Sequence, residues 1–118
     1  MNYEEFSVVS ALEGKRYECR FYTLMTAISL RHSDTVDVKF LVNGKRLVIS
    51  LPHAAFAEYR GRTGHPLTDA EAIQLAGLLL KERLEKEGLG EERELAPSIE
   101  QTLELAEKVT QDFKGHSG

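Results

Sequence analysis

Between residues 35 and 52, apolar and polar positions alternate on either side of Asn43-Gly44. That dipeptide suits a two-residue type I′ turn, in which both central residues need positive φ. The turn sets a register that can be checked. It pairs Val42 with Lys45, Phe40 with Leu47, Val38 with Ile49 and Val36 with Leu51. The last three pairs are apolar and share one face. The other face carries Leu41/Arg46, Lys39/Val48 and Asp37/Ser50 and is mixed. A register that sorts residues this way marks a hairpin with one buried side. Pro52 lacks an amide hydrogen and ends the second strand.

A fainter hairpin lies upstream. With Glu13-Gly14 as its turn, Val8 faces Cys19, Phe6 faces Phe21 and Ser10 faces Tyr17. Glu is a poor residue at positive φ, which points to a loop longer than two residues. Gly14-Lys15-Arg16 repeats as Gly44-Lys45-Arg46, but this is common turn chemistry and does not establish a repeat. Residues 23–33 carry two patterns. Leu24, Ile28 and Leu30 suit a strand with a bulge; Phe21, Leu24, Met25 and Ile28 suit a short helix. Thr23, Thr26 and Ile28 favour the strand, with Ser33-Asp34 turning into the 35–52 hairpin. The N-terminal half is therefore expected to be an antiparallel meander of about five strands.

Beyond residue 66 the period changes. Thr68-Asp69-Ala70-Glu71 is a capping box. Ile73, Ala76, Leu80 and Leu84 follow as one stripe, widened by Leu75 and Leu79. Gly77 costs this helix roughly 1 kcal/mol relative to Ala, and such a glycine can admit another backbone. Ser98-Ile99-Glu100-Gln101 is a second capping box after Pro97, followed by Ile99, Leu103, Ala106, Val109 and Phe113 at helical spacing. A short helical turn over 53–59 precedes both helices. Gly88-Leu89-Gly90 and then Pro97 read as a hinge near 88–97.

Strands first and helices afterwards make an α+β fold: a meander of about five strands with two long helices packed on one sheet face. One domain covers 1–118, with a sheet half (1–52), a loop and short-helix connection (53–67), a helical half (68–114) and a tail (115–118). The hinge leaves two options for the last helix: its own chain, or exchange with a neighbour.

Length and composition fit this picture. A chain of 118 residues, 42% hydrophobic and 29% charged, builds one core. The single cysteine excludes an intrachain disulfide. No apolar run approaches a membrane span, and the acidic start, Asn2-Tyr3-Glu4-Glu5, does not resemble a signal peptide. The cytoplasm, without membrane association, is the expected location. The net charge of −4 divides unevenly: +2 over 1–66 and −6 over 67–118.

Candidate chemistry is sparse. Neither GxGxxG nor GxxxxGK[ST] occurs, and no CxxC, HxxxH or HExxH spacing supports a metal. No cofactor is expected. Cys19 reads as a small buried hydrophobe. The 52–66 connection gathers His53, Tyr59, Arg60, Arg62 and His65 beside Gly61 and Gly64. Arginine forks and backbone amides in one loop suit phosphate or carboxylate. The plainer account pairs those arginines with the chain's own carboxylates, such as Glu58.

The expected function is a non-enzymatic interaction module that self-associates or binds a protein partner, supported by open sheet edges and long apolar helix stripes. The alternative is nucleic-acid or anionic-ligand binding through 52–66, with Tyr17, Tyr22 and Tyr59 available to stack on bases. A pI of 5.6 weighs against it. So does strand parity, since a five-strand meander sends Lys15-Arg16 and Lys45-Arg46 to opposite ends. Acid–base work by His53 and His65 is a residual third option.

Overall fold

The computed structural model describes residues 2–27 and 34–115. Residues 28–33, with the start of the Ser33-Asp34 turn, and the tail 116–118 lie outside the described residues. So does the side chain of Phe113. The order of elements is β1 (Glu5–Val9), β2 (Arg16–Ala27), β3 (Thr35–Val42), β4 (Lys45–Pro52), α1 (His53–Thr63), α2 (Asp69–Lys86), β5 (Glu94–Leu95) and α3 (Ile99–Gly115). This is an α+β fold with a five-strand, mostly antiparallel sheet in the order β1-β2-β3-β4-β5. No described helix is long and apolar enough to cross a membrane.

The β3–β4 register matches the pattern: Val36↔Leu51, Val38↔Ile49 and Phe40↔Leu47. All six side chains are buried. Each such burial contributes roughly 1.5–3 kcal/mol, which pins the register, since a one-residue slip would expose the whole set. Asn43 has φ 51 and Gly44 φ 80, as a type I′ turn requires.

The first hairpin differs by two residues. Phe6 pairs with Cys19 and Val8 with Tyr17. The chain turns over 10–15, where the Ser10 amide donates to the Lys15 carbonyl at 2.9 Å and the Gly14 amide to the Ser10 carbonyl at 2.8 Å. Gly14 alone takes positive φ there; Glu13 does not, so a two-residue primed turn is unavailable. A shift of two keeps every side chain on its expected face.

The strand count is also redistributed. β2 is one long strand that absorbs the start of the 23–33 segment, with an irregularity between Phe21 and Thr23. Tyr22 is the extra residue. The bulge puts Phe21 and Leu24, three apart, against the same core. Among the described residues the sheet half therefore holds four strands. The fifth, β5, comes from the expected hinge and pairs parallel to β4, Val48↔Glu94 and Ile49↔Leu95. The Val48 amide donates to the Arg93 carbonyl at 3.0 Å, and Ser50 Oγ donates to Glu94 Oε1 at 3.1 Å.

α2 begins at the Thr68–Glu71 capping box. Its buried Ala72, Leu75, Ala76, Leu79 and Leu80 share one core with Val38, Phe40 and Ile49. Gly77 admits another backbone: a Cβ there would overlap the carbonyl oxygen of Tyr3. α3 packs within its own chain, against α2, α1 and β4, through Leu103, Leu105, Ala106 and Val109. Ser98 Oγ accepts from the Gln101 amide at 3.1 Å. Ile99, counted in the apolar stripe, is exposed.

The 88–97 segment, expected as a hinge, turns a corner that is bonded to the first hairpin. Gly88 has φ 79 and lies against Glu13. Leu89 is buried and its amide donates to the Tyr17 hydroxyl at 3.2 Å.

Candidate functional site

The 52–66 connection is mostly helix. α1 runs through Thr63, past the expected turn over 53–59, and ends at Gly64, whose φ is 77 and whose amide donates a hydrogen bond to the Arg60 carbonyl at 2.8 Å. This geometry decides where the five candidate residues go. His53 is exposed at the first helical position, with its ring stacked 6.2 Å from Phe56. Tyr59 is 8% exposed and belongs to the core. Arg60 and Arg62 are both exposed. Two residues apart on a helix, they point about 200° away from each other. Arg62 donates to Glu58 Oε1 at 3.1 Å, the pairing with the chain's own acids that the plainer account expects. His65 is exposed beyond the helix, its amide donating to Thr63 Oγ1 at 3.2 Å. No described hydrogen bond joins any two of the five side chains. Arg62 alone lines a concavity, of about 220 Å³, against Glu100, Leu103, Glu104 and Glu107.

A larger groove of about 470 Å³ lies between α2, α3 and 95–97. Two of its cations are paired within the chain. Arg83 reaches Glu87 at 3.0 Å and Glu92 at 2.6 Å, and Lys108 reaches Glu82 at 3.6 Å. The Arg83 Nε–H is buried and misaligned for a hydrogen bond to Glu87. The groove offers ion pairs and apolar wall, with no histidine, cysteine or hydroxyl nucleophile among its lining residues.

Cys19 is 2% exposed. Burial, with a smaller contribution from the Glu18 charge, pushes its thiol up to about 12, so it stays protonated and unreactive at neutral pH. The Tyr17 phenol is also raised, chiefly by burial and by its hydrogen bond to Glu13. Among the described residues no group of three or more His, Cys, Asp or Glu could hold a metal ion.

The sheet presents two features that sequence reasoning placed differently or missed. First, with four strands before α1, the 10–15 and 43–44 turns fall at the same end, which corrects the expected separation of the two Lys-Arg pairs. The Asn43 side chain ties them: its Oδ1 accepts from the Glu18 amide at 2.8 Å, and its Nδ2 donates to the Arg16 carbonyl at 3.2 Å. On the outward side Arg20 pairs with Leu41 and Leu41 with Arg46, and Lys39 lies one outward position along. No ion pair is described for Arg20, Lys39 or Arg46. Second, β1 pairs only with β2, so its other edge is open. Val9 (57% exposed) on this strand and Leu12 (75%) in the turn that follows are among the most exposed large apolar residues described. The signal for this site was a strand of Val and Phe with no edge-blocking proline or lysine.

Comparison of the chain with known protein families, curated proteins and solved structures gives no match, so the reading rests on its own residues.

Proposed function

We propose that this protein is a small non-enzymatic interaction module that associates with itself. In this reading the two long helices cover one face of the sheet and leave the strand edge and the outward face as contact surface. The observation that carries it is the open β1 edge, with Val9 exposed on the strand and Leu12 in the turn after it. Unpaired edges of this kind template pairing with another chain. Arg83 and Lys108 of the large groove are paired with carboxylates of the same chain, which suits a scaffold better than a catalytic cleft. A single buried thiol fits a reducing compartment such as the cytoplasm. Light scattering after size exclusion, over a wide concentration range, tests the reading. A concentration-dependent dimer is the expected result, and a strict monomer removes it.

A second reading, binding of an anionic ligand or nucleic acid, is favoured by one observation: Arg20 and Arg46 flank Leu41 on the outward face. Their planar forks suit phosphate. Short oligonucleotides at low salt are the probe. Loss of binding on Arg20→Ala with Arg46→Ala assigns the ligand to the sheet. Loss on Arg60→Ala with Arg62→Ala assigns it to α1 instead.

A further inference from the structure

We infer that two copies of this chain join edge to edge through β1, antiparallel about a two-fold axis at Ser7, making one continuous ten-strand sheet. This deepens the self-association reading and rests on it.

The hydrogen-bond parity of β1 leads to this arrangement. The Phe21 amide donates to the Glu4 carbonyl at 2.7 Å, and the Ser10 amide to the Lys15 carbonyl at 2.9 Å. Residues 4 and 10 are thus turned toward β2, and with them Phe6 and Val8, since antiparallel pairs alternate. Glu5, Ser7 and Val9 then direct their N–H and C=O groups away from β2. The described backbone bonds outside helices and ladders include none from these three residues. α2 bonds this edge only beyond the ends of β1, where the Tyr3 amide donates to Gln74 Oε1 at 2.9 Å and the Ala11 amide to the Glu85 carbonyl at 2.8 Å, and Glu5 is the one charged residue on the strand. β1 holds no proline or lysine, and its register with β2 is unbroken from Glu5 to Val9. The opposite edge is short: β5 has two residues against the five of β1.

The occupant is a second copy because the strand is self-complementary. With Ser7 opposite Ser7 of the second copy, Glu5 faces Val9 and Val9 faces Glu5. All three outward positions then exchange both of their hydrogen bonds. Phe6 and Val8 face each other on the core side and extend the apolar layer across the junction.

Charge agrees with this register. Glu5 lies beside Arg20 in its own chain, and Val9 beside Arg16. Pairing Glu5 with Val9 of the second copy therefore brings an Arg16 to the far side of each Glu5 carboxylate. Arg16 is held by Glu18 of its own chain through Nε at 2.8 Å, while its Nη2 leans over the edge strand, 3.4 Å from Ser7 Oγ, and is the part of the fork that a second carboxylate would share. Ser7 at the axis is small enough to leave room for both guanidinium groups.

The test is sedimentation equilibrium on the full chain and two variants, with circular dichroism as the check of folding. Ser7→Pro removes an amide hydrogen that faces away from β2, so the internal ladder survives. It deletes both hydrogen bonds at the axis and should weaken the dimer about tenfold or more. Glu5→Arg should weaken it as well, and adding Arg16→Glu should restore it, whether or not Ser7→Pro folds. Amide exchange at Glu5, Ser7 and Val9 should slow as concentration rises. A wild-type chain that is monomeric throughout overturns the self-association reading itself. A dimer that neither Ser7→Pro nor Glu5→Arg weakens overturns the β1 junction alone and leaves self-association standing.

Discussion

The hydroxyl of Tyr17 accepts the amide of Leu89 at 3.2 Å while donating to Glu13 at 2.5 Å. One phenol on β2 thus fixes both the 10–15 turn and the corner that follows α2. Tyr17→Phe keeps the ring and removes both bonds. It leaves the buried Leu89 amide without a partner, which costs about 1–3 kcal/mol. Urea denaturation should show that loss, and amide exchange at Leu89 should accelerate more than exchange in the centre of α2. Equal acceleration everywhere would mean that the corner is not held locally.

Cys19 and Tyr17 both have folded pKa values raised above their ordinary ones, Cys19 from 9.0 to about 12. The fold favours the protonated forms. Their contribution is complete below the unfolded values and is lost as pH rises past them toward the folded values. Stability should stay flat with respect to these groups up to about pH 9 and fall between there and about 12. Cys19→Ala should flatten the first part of that decline, although it lowers stability at pH 7 by removing a buried side chain. A thiol reagent should label Cys19 slowly in the native protein and quickly in urea.

Three glycines make a graded series. A Cβ at Gly61, within α1, meets nothing within 4 Å, so Gly61→Ala should stabilise by up to about 1 kcal/mol through helix propensity. The same gain is available at Gly77, but the added carbon overlaps Tyr3 and strains the bond from the Tyr3 amide to Gln74 Oε1. Gly77→Ala should therefore be destabilising. At Gly88 the left-handed φ adds to a clash with Glu13. Denaturation midpoints should rank Gly61→Ala above wild type and both other variants below it.

Asn43 has two roles that substitution can separate. Its positive φ completes the type I′ turn, and its side chain bonds the backbone of Glu18 and Arg16. Asn43→Gly keeps the first role and loses the second. Asn43→Ala loses both, adding about 1–2 kcal/mol for a left-handed alanine. Thermal or urea midpoints should fall in the order wild type, Gly, Ala. A Gly variant as stable as wild type would show that the side-chain bonds contribute little.

How much of this was readable in the sequence depends on how local each signal is. The β3–β4 register followed from a two-residue turn and strict alternation, both local. The Thr68–Glu71 box was equally local. Phe21 and Leu24 resembled a helix because the extra residue Tyr22 turned a period of two into a spacing of three. Glu94 and Leu95 carry no periodic signal, and their partners Val48 and Ile49 are distant in sequence, so β5 could not be seen. Missing it while splitting β2 kept the strand count near five and inverted the parity of the turns. Within 52–66, Gly61 and the two arginines looked like loop chemistry. Helical spacing instead gives Arg62 to Glu58 and Tyr59 to the core.

The parallel pairing of β5 with β4 also bears on the order in which the chain can fold during synthesis. The four-strand meander closes on short-range contacts as soon as Pro52 has emerged. Its β4 edge and its apolar layer then wait until α2, the Tyr17–Leu89 corner and Arg93 have followed. A ribosome-bound intermediate that ends before α2 exposes two strand edges and an uncovered layer, and is the species most in need of a chaperone.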